Sequence, residues 1–420
     1  MRMRTIFRIF LLTCGLFYLA AITRVLLADW LLNHPTPENL RRGVHWLPSS
    51  PQLWSAYARS RSELMADSSL PEVIAAYQAA LSRNPFDLPA WDGLATAYLQ
   101  QGDLSHAEAA MRGAVAAVPH SPSATWRLAN FLLVQDRVAE AMPLFRTAAS
   151  FDPNLCPAVF DLGWKLLGDP QQILEELVPD RLPARMQYLE FLVWRKGLPR
   201  EAYPVWQKIL ASGTEAAIKQ GEAYVEALAA GGFGSEASRV WRELLAQTGS
   251  KFSQPAGERI FNGDFEAPLR NAGLDWRMAQ APGYQVTLDN FQSQHGTRAL
   301  RVKFNGTTNP EFAALQQWIP VEPGTTYHFQ AYLRTENIST DNGLFLLLTP
   351  VGAPPNGYWE RLTENRVGST PWTEEQLVFR TGPDTRVILV QLRRRASTKL
   401  NNLLQGTVWL DNVSLYASRD

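Results

Sequence analysis

The sequence predicts a multidomain chain, α then β: a single N-terminal transmembrane helix, an α-solenoid of helical hairpins, and a C-terminal antiparallel β-sandwich (jelly roll). Three observations carry this reading. Ile9–Thr23 contains no charged residue and follows Arg2, Arg4 and Arg8. Pro85, Pro119 and Pro153 recur every 34 residues within helically spaced apolar sequence. Beyond Ala246–Glu258, a polar stretch with Gly, Ser and Pro, the pattern changes to short alternating runs separated by Gly, Pro, Asn and Asp. The expected boundaries are an anchor at 1–33, a solenoid at 34–247, a linker at 248–257 and the sandwich at 258–420.

The first element rests on length and charge. Ile6–Leu27 is long enough to cross a bilayer once, with Arg8 and Arg24 snorkelling to its two surfaces. The preceding arginines favour a cytoplasmic N-terminus with the rest of the chain across the membrane. A cleaved signal peptide is the rival, but no good small-x-small site follows the apolar core. Leu11-Leu12-Thr13-Cys14 is a poor lipoprotein box, because the apolar run continues past the cysteine.

The helical region is clearest between Leu88 and Ser121. Trp91, Leu94, Ala95 and Tyr98 share one helical face, and Ala107, Met111 and Ala114 share another. Gln101-Gly102-Asp103 supplies the turn, and Pro119 ends the pair because it has no amide hydrogen to continue a helix. Trp54, Tyr57, Leu64, Tyr77 and Ala80 repeat the pattern upstream. Leu128, Ala129, Leu132, Ala141, Phe145 and Ala148 repeat it downstream. A fourth unit begins at Val159 and loses the pattern at Asp169-Pro170, and two divergent units follow around Leu189–Trp206 and Tyr224–Trp241. Pro37–Leu47 reads as the second helix of a half repeat joined to the membrane segment. The spacing resembles that of tetratricopeptide-repeat proteins over roughly Pro37–Gln247. That resemblance implies a protein partner bound by the solenoid, without naming one.

Strands are expected at Ala299–Phe304, Leu315–Val321, Thr326–Arg334, Gly343–Leu348, Glu375–Arg380, Arg386–Arg393 and Gly406–Leu415. The opening Asn262-Gly263-Asp264-Phe265-Glu266, Trp276, Pro323-Gly324, and the closing Val408-Trp409-Leu410-Asp411-Asn412-Val413 resemble carbohydrate-binding modules of the jelly-roll, galactose-binding-like kind. The resemblance implies a structural Ca²⁺ held by Glu266 and Asp411, which would supply hard oxygen ligands. It also implies a sheet face that binds glycan. Alternation turns Arg301, Tyr332, Arg334, Gln391 and Arg393 outward, a set suited to an acidic polysaccharide, and these residues are expected on one surface. Tyr358, Trp359 and Trp372 lie in loop-like sequence and are the alternative stacking platform. Trp276, Trp318 and Trp409 are assigned to the core or its edge.

Lys+Arg and Asp+Glu both number 40, which argues against a nucleic-acid partner. The chain has no H-E-x-x-H, G-x-S-x-G, P-loop or dinucleotide motif, and its six histidines lack metal-ligand spacing. Cys14 and Cys156 read as structural, and the N-x-[ST] triplets at Asn305, Asn337 and Asn412 as chance. The expectation is a non-catalytic, membrane-anchored scaffold of the bacterial envelope. Its domains would be periplasmic, and it would act in surface polysaccharide synthesis or export. The alternatives are a pure protein–protein scaffold and a glycan-processing enzyme.

Overall fold

The computed structural model describes residues 2–63, 70–248 and 254–418. The chain divides into two compact units, Met1–Ala184 and Arg185–Asp420. Fourteen helices among the described residues precede ten strands.

The first unit begins with α1 (Arg2–Asn33) and α2 (Pro37–Trp46). Within α1, Leu11–Asn33 is long and apolar enough to cross a membrane, and none of that stretch's most apolar window is buried. A bilayer span and a signal sequence share these properties. Three helical hairpins follow: α3 (Pro51–Glu63) with α4 (Leu70–Leu81), α5 (Leu88–Gln101) with α6 (Leu104–Ala117), and α7 (Pro122–Val134) with α8 (Val138–Phe151). Leu64, expected in the first of these, lies outside the described residues. The short α9 (Cys156–Leu166) and α10 (Pro170–Glu176) are the degraded fourth unit.

The repeat residues act through size. Ala95, Ala107, Ala129, Ala141 and Ala148 are fully buried, so paired backbones approach closely. A Cβ on Gly113 would lie 2.7 Å from Trp91 Cη2, so the indole of one helix fits only over a glycine of the next. Gly102 takes φ 79° at the end of α5, a left-handed conformation that glycine adopts without strain. Asp103 then accepts the His106 amide and caps α6, as Asp87 and Ser121 cap α5 and α7.

The second unit contains α11 from Arg185 onward (the helix spans Leu182–Glu190), a π-helical turn at Phe191–Arg195, α12 (Tyr203–Leu210), α13 (Glu215–Ala230) and α14 (Gly234–Gln247). Its strands are β1 (Arg277–Met278), β2 (Tyr284–Asp289), β3 (Ala299–Asn305), β4 (Phe312–Pro320), β5 (Thr326–Ile338), β6 (Phe345–Pro350), β7 (Arg361–Leu362), β8 (Gly368–Arg380), β9 (Val387–Arg394) and β10 (Gln405–Ala417). One sheet has the order β1-β4-β9-β6-β7 and the other β2-β3-β10-β5-β8, and each strand runs antiparallel to its neighbours. Phe304, Phe312, Phe329, Leu346, Val390 and Leu410 fill the space between the sheets.

All seven expected strands are present, and β1, β2 and β7 join them. Of the linker expected at 248–257, residues 249–253 lie outside the described residues. On either side of them, helices and sandwich pack together. Arg270 meets Glu222 of α13 at 3.3 Å, and Arg277 pairs with Glu226 of the same helix. The Gly273 amide also donates to Glu226 at 3.0 Å. Trp241 of α14 stands edge-on to Phe261, with ring centroids 5.4 Å apart. Trp318, on the outer face of β4, lies beneath the Arg277 guanidinium at 4.8 Å and so is not part of the inter-sheet core.

Candidate glycan-binding face

The outer face of the β2-β3-β10-β5-β8 sheet is built by alternation. In β3 and β5, Leu300, Val302, Phe329, Ala331 and Leu333 point into the core, so Arg301, Gln330, Tyr332 and Arg334 point away from it. In β10, Val408 and Leu410 point inward, which turns Trp409 outward. Register places Trp409 opposite Arg301 on one side and Arg334 on the other. The Arg334 guanidinium lies over the Trp409 ring at 5.0 Å, and the Trp409 Nε1–H donates to Asp289 at 2.9 Å. This indole is therefore outward-facing yet covered, with only 6% of its surface exposed. The sequence reading missed it because its β10 neighbours Val408 and Leu410 suggested a wholly buried strand.

Beside Arg334 the face sinks into a depression of about 330 Å³. It is lined by Arg334, Thr335, Glu336, Ser369, Thr370, Pro371 and Trp372. Trp372 is on β8 and not in a loop, because the strand begins at Gly368, earlier than alternation from Glu375 suggested. A half-buried indole beside a guanidinium is a surface on which a sugar ring can stack while its hydroxyls meet charged donors. Tyr332 lies opposite Glu374 in the register, and its hydroxyl donates to that carboxylate at 3.1 Å.

Arg301 and Arg334 both meet carboxylates of the same face, while Lys303 of β3 is exposed. Arg301 meets Asp289 at 3.4 Å and Arg334 meets Glu336 at 3.8 Å. Burial pushes the Asp289 carboxyl up, but the Trp409 indole, the Phe291 amide and Arg301 together hold it below the usual carboxylate range.

The expected five-residue surface does not form. Gln391 and Arg393 lie on β9, in the opposite sheet, and face away from the first face. A β-sandwich presents two outer faces, and alternation along a strand says nothing about which sheet the strand joins. There Gln391 donates to Gln316 at 2.7 Å and Arg393 pairs with Glu311 at 3.1 Å. The alternative platform is also divided. Trp359 packs on Phe379 at the edge of the core, with centroids 5.1 Å apart. Tyr358 is exposed and donates to Glu360 at 2.8 Å; that bond, burial and the carboxylate's charge raise its hydroxyl pKa, against the pull of Arg393. Trp372 alone joins Arg334.

Glu266 and Asp411 do converge, on the loop from 290 to 298. Asp411 is fully buried and accepts the amides of Gln294 at 2.7 Å and His295 at 3.1 Å. Glu266 accepts the Thr297 amide and hydroxyl, both at 2.6 Å, and the Arg298 amide at 2.9 Å. Burial raises the Asp411 carboxyl, and the charge of Glu266 adds to the rise. This donor set does not fit a Ca²⁺ ion: N–H and O–H groups occupy the oxygens a metal would need, and they point their positive ends at it. Among the described residues no group of three or more His, Cys, Asp or Glu side chains is placed to hold a metal. The two carboxylates instead clamp the loop as a wall of the sheet face, with Gln292 reaching Arg334 and Phe291 standing 94% exposed at the tip.

Comparison with known proteins agrees with this architecture. A tetratricopeptide repeat family model matches residues 64–122 and 93–155. These are tetratricopeptide repeats. A tetratricopeptide-repeat protein, YrrB, described as having an unusual peptide-binding site, is 13% identical. It covers 51% of this chain and 95% of its own, with a TM-score of 0.25. The sandwich resembles carbohydrate-binding modules. A family 16 module is 19% identical over 37% of this chain and 97% of its own, with a TM-score of 0.28. The xylan-binding CBM22-1 domain of Paenibacillus barcinonensis Xyn10C is 14% identical over 40% of this chain and 99% of its own, also at 0.28. No curated protein matches the chain.

Proposed function

We propose that the protein is a non-catalytic, membrane-anchored scaffold whose repeats hold a protein partner and whose sandwich binds a neutral glycan. The anchor is α1, and the setting is the bacterial envelope, with both units on the outer side of the inner membrane. The role is docking in surface polysaccharide synthesis or export. The observation that carries the glycan reading is the depression where Arg334 and Trp372 meet. Tetratricopeptide repeats bury their conserved faces in stacking and leave curved surfaces for partners, which supports the protein-binding half.

The neutral class follows from the charge pairing. At the depression and beside it, a uronate carboxylate would have to compete with Glu336 for Arg334 or with Asp289 for Arg301, whereas a hydroxyl can hydrogen-bond to a guanidinium that remains paired. Open, solvated sugar contacts of this kind give affinities on the order of micromolar to millimolar. The test is affinity electrophoresis of the full chain in detergent, in gels containing neutral or uronate-bearing glycans. Retardation by a neutral glycan that withstands added salt supports the reading. Retardation by uronates alone, lost with salt, restores the acidic class. Normal migration in every gel leaves a protein scaffold without a sugar site.

A further inference from the structure

In the first unit, Leu31 lies two residues from the end of α1 and is 1% exposed, packed where α1 meets α2 and α3. A Cβ on Gly43 would come within 3.0 Å of Leu31 Cδ1 and 3.5 Å of Leu53 Cδ2. Only His34–Thr36 separate α1 from α2, and Gly43 lies six residues into α2. With so short a connection, the approach of Gly43 to Leu31 folds α2 back against the end of α1. Each further residue of α2 then advances about 1.5 Å along its axis, away from the α1–α2 turn.

Trp46 is the last residue of α2 and is 54% exposed. The loop after it is tied to the next inter-repeat loop, because Arg83 Nε donates to the Pro48 carbonyl at 2.5 Å. That second loop carries Phe86, which is 68% exposed. One edge of the first repeats thus presents two large aromatic rings, with the exposed Arg83 between them, on the side to which the apolar part of α1 extends.

We propose that this edge rests on the bilayer surface, with Trp46 and Phe86 in the headgroup and glycerol layer. The proposal rests on the reading of α1 as a membrane span. Continuity with α1 identifies the occupant: the helix that enters the bilayer is the one α2 packs against, so lipid is what lies below Trp46. Aromatic rings prefer this interfacial layer. The anchor is then a fixed foot of the solenoid and not a flexible tether.

The test uses the full chain with Cys14→Ser, since Cys156 is buried and escapes labelling. A fluorophore is placed by Leu16→Cys, Trp46→Cys, Phe86→Cys or Leu104→Cys in separate variants. Leu104 is also apolar and 45% exposed, but it follows the turn at the opposite edge of the repeats. The protein is reconstituted in phosphatidylcholine–phosphatidylglycerol vesicles with or without lipid brominated near the carbonyl end of its acyl chains. The expected result is that labels at 16, 46 and 86 lose about twofold more emission to brominated lipid than the label at 104. Quenching at 16 with 46 and 86 no different from 104 overturns the docked edge and leaves the span intact. Absence of quenching at 16 overturns the span and the docking with it.

Discussion

Asp275 is a fully buried carboxylate that accepts the Arg270 amide at 2.6 Å and the Trp276 amide at 2.7 Å. Burial outweighs these donors and pushes its carboxyl pKa up to about 6. The folded state therefore keeps this proton to higher pH than the unfolded chain, whose aspartates titrate near 4. Between about pH 4 and 6 the folded form binds more protons, so this residue lowers stability as pH rises through that window, by up to about 3 kcal/mol. Asp275→Asn removes the titration, and the melting temperature of the variant relative to wild type should climb from pH 4 to 7. A constant difference would mean that Asp275 is ionised throughout. At the loop from 290 to 298, the clamp formed by buried Asp411 and half-buried Glu266 predicts no change in melting temperature between millimolar Ca²⁺ and chelator. A rise of several degrees with Ca²⁺ would show that the amides yield to metal. Such environments were only half legible in the sequence. The opening and closing motifs brought Glu266 and Asp411 together as expected, but nothing in their spacing revealed that one loop would supply most of their donors.

The tetratricopeptide hairpins and the sandwich strands differ in how much of them the sequence shows. In the α5–α6 hairpin every assigned position acts as its residue type implies, because the helix period fixes one buried face and contacts are made within 34 residues. Ala107 is fully buried where the helices meet, so Ala107→Arg should destabilise the solenoid by about 3–5 kcal/mol. An unchanged thermal unfolding transition would contradict that packing. The strands β1 and β7 have two residues each, too few for alternation to register, and β2 is closed off by Gly283 and the Asp289–Asn290 turn. Sheet membership was not legible at all. Gln391 and Arg393 share the outward phase of Arg301 and Arg334, yet β9 pairs with β4 and β6 while β3 and β5 flank β10. Strand pairing of that kind depends on contacts far apart in sequence.

At the scale of the whole molecule, the second compact unit joins the last helical hairpin to the sandwich. The Arg270–Glu222 and Arg277–Glu226 pairs are mostly buried, and Trp241 lies 4% exposed beside Phe261. Trp241→Ala should therefore destabilise this unit by about 3–5 kcal/mol, read as a shifted unfolding transition, while leaving the first unit's transition in place. A polar stretch in the sequence marks where the chain changes character, but it carries no information about packing across it. The glycan face rests on this unit, and the claim that one sheet and not the other binds sugar is the centre of the account. Its most direct measurement is affinity electrophoresis of the full chain in a retarding neutral glycan, comparing two double variants that remove similar side chains from opposite faces. Arg334→Ala with Trp372→Ala should abolish retardation, and Gln391→Ala with Arg393→Ala should leave it unchanged. Loss of retardation in the second pair with binding intact in the first would contradict the assignment.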